Sequence, residues 1–276
     1  MRSSNPVLTS LQSEEARRGK ANGGAFDPYA SAVYPTNTWE DTSAPSIDRP
    51  MTVDDVVTKT GITLAVIIAG ALINFFIGAA NPGLAMMLTL VGGLGGFITV
   101  LVSAFSKKFG SKAVTLTYAA FEGLFVGGIS FLFAGISVSG ANGGALIGQA
   151  VIGTVGVFIG MLYVYKTGAI KVTPKFTKLM TAGLVGVLVL SFGNLFLAML
   201  TGNNPLRDGG MLAIIFSLVC IGLAAMSFLQ DFDVADKLIR SGAPASHAWG
   251  VALGLAVTLV WLYTEILRLL SYFNRS

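Results

Sequence analysis

Thr60–Ala80 reads TGITLAVIIAGALINFFIGAA, an apolar stretch without a single charged side chain. About 20 such residues span the hydrocarbon of a bilayer as a helix. Asn81-Pro82 then turns the chain, and Gly83–Phe105 (GLAMMLTLVGGLGGFITVLVSAF) is again free of charge. Two uncharged runs separated only by a turn dipeptide predict a transmembrane helical hairpin. Long apolar runs recur at Ala113–Phe133, Ala145–Tyr165, Leu179–Leu200, Met211–Leu229 and Ala248–Tyr272, and of these five the first and the last carry charged residues. The expected fold is therefore all-α, a polytopic membrane bundle of seven transmembrane helices, with the lipid bilayer as its main partner.

Composition points the same way. Only 12% of the 276 residues are charged and 53% are hydrophobic, whereas a soluble domain carries roughly 25% charge. The net charge of +4 does not mark a nucleic-acid binder, because the basic residues fall between apolar runs rather than on one face. Residues 1–50 differ from the rest. They are rich in Ser, Asn, Pro, Gly and charge, and they lack the apolar periodicity that would offset the entropy of ordering. They read as a disordered cytoplasmic tail without a signal peptide, ahead of a seven-helix domain over 51–276. Phe26, Tyr29, Tyr34 and Trp39 are scattered through that tail. Met51–Lys59 reads as a short helical lead-in, with Thr52 as its cap and Asp54 and Asp55 suited to a helix N-terminus.

Lys107, Lys108, Lys112, Lys166, Lys171, Lys175, Lys178, Lys237 and Arg240 all follow even-numbered runs. The other side carries only Arg207 and Arg275 outside the apolar runs. The positive-inside rule then puts the N-terminus in the cytoplasm and the C-terminus outside, in a multi-pass protein of the cell membrane.

Glycine is abundant, 34 residues in all, and VGGLGG (91–96) and GLFVGG (123–128) lie inside spans. Small residues there let helices approach closely, and neither run has the strand context of a dinucleotide fingerprint. Asn74, Gln149 and Asn194 also lie within spans, where hydrogen bonding between helices is the expected role.

The informative residues are the acids at membrane depth, where an ionisable group is costly and faces a polar cavity or the bundle interior. Glu122 lies mid-way along the third run, and Glu265 lies in the last, three residues before Arg268. Asp231 and Asp233 close the sixth run. Burial makes a carboxylate harder to ionise, which suits a proton-sensitive gate. Each group also has a plainer account. Glu265 and Arg268 can neutralise each other on one helix face. Asp233 with Lys237 and Asp236 with Arg240 are acid-first pairs four apart, as on a solvated helix extension. Glu122 can be protonated and hydrogen-bonded to a neighbouring helix. Asp231 and Glu122 have no basic residue three or four positions away. Asp231 and Asp233 are also the candidate sites of transient Ca²⁺ contact.

Enzymatic signatures are missing. His247 and Cys220 are the sole histidine and cysteine, and there is no HExxH, GxSxG, P-loop or CxxC. A non-enzymatic protein without cofactors is expected.

Three stretches resemble the Bax inhibitor-1 family, the transmembrane Bax-inhibitor-motif proteins, over residues 55–274. LQDFDVAD resembles the family's Asp-containing close of the sixth helix and places Asp231 at the motif aspartate. LYTEILRLLSYF resembles its LYLDFINLF-type ending and places Glu265, a glutamate, at the second aspartate. FEGLFVGGIS resembles its small-residue third helix. The SNPVL opening and long tail look like a bacterial subgroup. The resemblance implies a pH-sensing carboxylate latch on a passive calcium or cation leak. For some members it implies instead an interaction protein that restrains a membrane protease or acts in stress responses. The chain departs from the pattern in spacing. A hairpin turning near Gly242–Ser246 leaves Asp231 and Glu265 offset by about 10 Å. The second run also supplies no basic counter-charge, for which Arg268 is the substitute.

Overall fold

The computed structural model describes residues 49–105, 109–136 and 143–274. They form seven long helices, α1 Val53–Ala80, α2 Pro82–Phe105, α3 Lys112–Ile136, α4 Gly143–Thr167, α5 Pro174–Thr201, α6 Met211–Arg240 and α7 Ala248–Phe273, with a 3-10 turn Ala245–His247 leading into α7. All seven are long and apolar enough to cross a bilayer, and no β-strand occurs among the described residues. The chain is an all-α, multi-pass membrane bundle. The tail aromatics Phe26, Tyr29, Tyr34 and Trp39 lie outside the described residues, as does the rest of the chain before Arg49.

Residues Met51–Lys59 do not form a separate lead-in. Thr52 caps α1 through a reciprocal bond with Asp55, and the helix then runs unbroken to Ala80. No Gly or Pro interrupts it before Gly61, so nothing ends the first turns. Asp55 is buried and receives both Arg49 nitrogens at 2.8 and 2.7 Å. Met51 N donates to Ala243 O, and Ala245 N to Arg49 O, each at 2.8 Å. The start of α1 is thereby tied to the α6–α7 connection. Lys59 joins the same knot, donating to Ala245 O and standing 5.7 Å from the Trp249 ring centre.

The bundle is organised around α7. Its buried residues include Val251, Leu255, Val260, Leu262 and Leu267, and it packs against α1, α3, α4 and α6. Phe228 and Phe232 of α6 fill the space between α7 and Phe158 of α4. On the other side, Ile67 of α1 and Tyr118 and Val126 of α3 pack against Val260. Helix α5 is peripheral. It packs mainly on α6 and leaves Phe192, Phe196 and Met199 exposed, a surface that only lipid can cover favourably.

Helices α1 and α3 meet through glycine, as close packing requires. A Cβ on Gly123 would lie 2.6 Å from Ile67 O, and one on Gly127 would lie 2.2 Å from Ala71 O. Beside this crossing, Asn74 of α1 donates to Thr89 Oγ1 of α2 at 3.1 Å and to Leu124 O of α3 at 2.6 Å. That is the interhelical role expected of it. Gln149 departs from expectation. It stands exposed on α4 and makes no side-chain hydrogen bond with another described residue. Asn194 departs too, and its real role bears on the site below.

Candidate functional site

Helix α7 sets Glu265 and Arg268 one turn apart on one face. Arg268 Nη1 donates to Glu265 Oε1 at 2.6 Å, and both side chains are largely buried. Such a pair survives at depth because each charge offsets the other's desolvation. The expected pairing is therefore present. It uses only one carboxylate oxygen, since Glu265 Oε2 is buried without a hydrogen-bond partner among the described residues.

The pair lines a cavity of about 560 Å³ that also takes in Glu122 of α3, Arg207 of the α5–α6 connection and Cys220 of α6. Glu122 enters it because α2 has glycine opposite. A Cβ on Gly96 would lie 2.6 Å from Glu122 Oε2, so the VGGLGG run makes room for a carboxylate as well as for a helix. Tyr118, one turn before Glu122 on α3, lines the same chamber. Two glutamates and two arginines thus share one chamber.

Arg207 is the residue that the sequence reading missed, having counted it only as a loop charge. Its position is built from α5. Asn194, 7% exposed, donates to Asn204 Oδ1 and accepts from Leu206 N at 3.1 Å. Arg207 N in turn donates to Asn204 O at 2.8 Å. Asn194 thus holds the connection rather than a second helix, and the connection holds Arg207 against the chamber. Burial first, then the charge of Arg268, lower the Arg207 pKa, and Glu265 opposes them. A guanidinium stays protonated through such shifts. The signal was an asparagine near the end of an apolar run followed by the turn TGNNPLRDGG, but nothing local says which way the loop folds.

Asp231 does not join this chamber. Thr258 Oγ1 of α7 donates to Asp231 Oδ2 at 2.7 Å. Thr258 precedes Glu265 by seven residues, or about 10 Å along the helix. The structure therefore does not bring Asp231 and Glu265 together, and the latch pair implied by the resemblance is not formed by these two. The cause is the length of α6, which continues to Arg240 before the chain turns. Asp233 lies two residues from Asp231, about 200° around the helix, and pairs with Lys237 at 2.5 Å. Asp236 pairs with Arg240 at 2.9 Å. Asp231 and Asp233 consequently do not converge as Ca²⁺ ligands, and among the described residues no three His, Cys, Asp or Glu side chains form a group that could hold a metal ion.

The chain matches the family model described as Bax inhibitor 1 like over residues 5–275, so the match reaches back through the tail. No curated protein matches it.

Proposed function

The chain belongs to the Bax inhibitor 1 like family, and on that premise we propose that it is a passive, pH-sensitive leak for cations, Ca²⁺ foremost, without enzymatic activity. The Glu122–Glu265 chamber is its cation-binding section. Asp231 with Thr258 forms a second, separate station about 10 Å further along α7. The observation that carries this reading is Glu265 Oε2, a buried carboxylate oxygen with no hydrogen-bond partner among the described residues, in a chamber that Glu122 also lines. Carboxylate oxygens suit hard cations such as Ca²⁺, and protonation removes that affinity. By the positive-inside rule, the Arg207 end faces outward and the end bearing Lys59 and Lys112 faces the cytoplasm of a cell-membrane protein.

The test is Ca²⁺ flux into proteoliposomes across a pH series. Glu122→Gln and Asp231→Asn each fix one site in a protonated-like state. Each is expected to flatten the pH dependence of flux between roughly pH 5 and 8, the range over which buried carboxylates can titrate. Asp236→Asn, whose charge is already met by Arg240, is expected to keep the wild-type profile. Folded Glu122→Gln and Asp231→Asn proteins with wild-type flux at every pH would remove the carboxylate gate. A wild-type protein that carries no Ca²⁺ would leave the family's other role, restraint of a membrane partner.

A further inference from the structure

Between Glu122 and Asp208 the chain contains no acidic residue, yet Lys166, Lys171, Lys175 and Lys178 crowd around the α4–α5 connection. That connection is short and ordered. Gly168, at a φ of +67°, closes α4, with Gly168 N donating to Tyr165 O at 3.1 Å and Ala169 N to Val164 O at 3.2 Å. Thr173 opens α5, its hydroxyl accepting from Phe176 N at 3.2 Å. Both ends of the stretch are therefore fixed, and the four charges are gathered in one patch. All four lysines are exposed, and none forms an ion pair with another described residue. The α6 acids at the same end of the bundle are already taken, Asp233 by Lys237 and Asp236 by Arg240. Lys175 is also misplaced for its own helix. It stands in the first turn of α5, where the macrodipole repels a cation, and no acid is present in that turn. Helix α1 opens instead on Asp54 and Asp55. Beside the lysines, Tyr163, Ile170 and Leu179 are exposed, and an aromatic ring and aliphatic side chains next to cations are the composition of a membrane interface.

We propose that this patch is a docking site for the headgroup phosphate of an anionic phospholipid, whose acyl chains lie along the exposed side of α5. Charge and place select the partner. Four cations without a protein partner call for an anion, and the ends of membrane-spanning helices lie at the depth of the lipid phosphates. Ammonium groups on flexible stems meet a phosphate as point charges from several directions, without the fixed fork of an arginine. Helix α5 gains most from such a lipid. It is the least buried of the seven and packs mainly on α6, so a phosphate shared by Lys166 and Lys175 ties it back to α4. The site is independent of the cation leak and stands whether or not the protein conducts.

The experiment titrates the full chain in detergent with phosphatidylglycerol, and in parallel with phosphatidylcholine, and reads the thermal unfolding midpoint. The wild-type midpoint is expected to rise with phosphatidylglycerol and not with phosphatidylcholine, and the rise to shrink as salt is added. Lys175→Gln/Lys178→Gln is expected to need about thirtyfold more phosphatidylglycerol for the same rise, the factor for two lysines at an anionic lipid surface. Lys166→Gln/Lys171→Gln carries the same expectation and serves as the test if the first pair does not fold. Lys237→Gln/Arg240→Gln removes equal charge from the same end, but from cations that Asp233 and Asp236 already hold, and is expected to keep the wild-type response. An equal loss in that control would assign the effect to general surface charge and overturn the proposal. A wild type that responds to neither lipid, or to both alike, would overturn it as well. So would a full response to glycerol phosphate at the concentration of the lipid, because the occupant would then be a soluble anion.

Discussion

Replacing Glu265 with leucine is expected to cost about 3–5 kcal/mol of fold stability, while the double variant Glu265→Leu/Arg268→Leu regains most of it. The side chains of Glu265 and Arg268 are only 5% and 14% exposed. Removing the acid takes away the ion-pair partner of Arg268 at membrane depth, in a chamber that Arg207 also lines. An uncompensated buried charge is the expensive state, whereas two apolar side chains of similar volume pack without penalty. The thermal unfolding midpoint in detergent checks this. A loss of roughly 10 °C is expected for Glu265→Leu, with most of it restored in the double variant. Calcium flux should be lost in both, so that stability and activity separate. Equal destabilisation of the single and double variants would mean that packing, not charge, is what Glu265 supplies.

The second large effect lies at the crossing of α1 and α3. In Gly127→Ala the new Cβ would stand 2.2 Å from Ala71 O, a backbone atom of a packed helix. No rotamer change relieves that contact, so the helices must separate. The expected cost is about 3 kcal/mol or more, the upper range for overpacking, and Gly127→Leu is expected to give no folded protein. Gly156→Ala and Gly193→Ala are the contrast, since a Cβ at either meets nothing within 4 Å. There the better helix propensity of alanine, worth up to about 1 kcal/mol, acts alone. Folded yield by size-exclusion chromatography and the unfolding midpoint check both arms. A Gly127→Ala protein as stable as Gly156→Ala would show that α1 and α3 are not in the close contact described.

These two contacts were open to sequence reading in different degrees. Seven long apolar runs and the turn chemistry between them were enough for the fold, because span length and apolarity are local properties. The Glu265–Arg268 pair and the acid-first pairs of α6 were also legible, since spacing on one helix dictates which side chains meet. The offset of Asp231 from Glu265 followed from rise per residue once the turn was placed near Gly242. What escaped depended on partners distant in sequence. Arg207 reaches the chamber only because Asn194 folds the α5–α6 connection inward. Thr258 became the partner of Asp231 only when α6 and α7 were laid side by side. Gly96 looked like a packing glycine and does pack, but it also clears the space that Glu122 occupies. The lead-in before Thr60 was split from α1 because charge at Asp54, Asp55 and Lys59 masked a helix that never stops.

The central claim is that cations cross through the Glu122–Glu265 chamber, and the most direct measurement is block from within it. Ser191 of α5 lines the chamber and is not one of its charged groups. Ser191→Cys in a Cys220→Ala background, reconstituted and treated with a bulky thiol reagent, should lose its Ca²⁺ flux in step with labelling. The same reagent should leave the unmodifiable Cys220→Ala parent unaffected. Complete labelling of Ser191→Cys with undiminished flux would contradict the account, because ions would then be passing by a route that avoids the chamber.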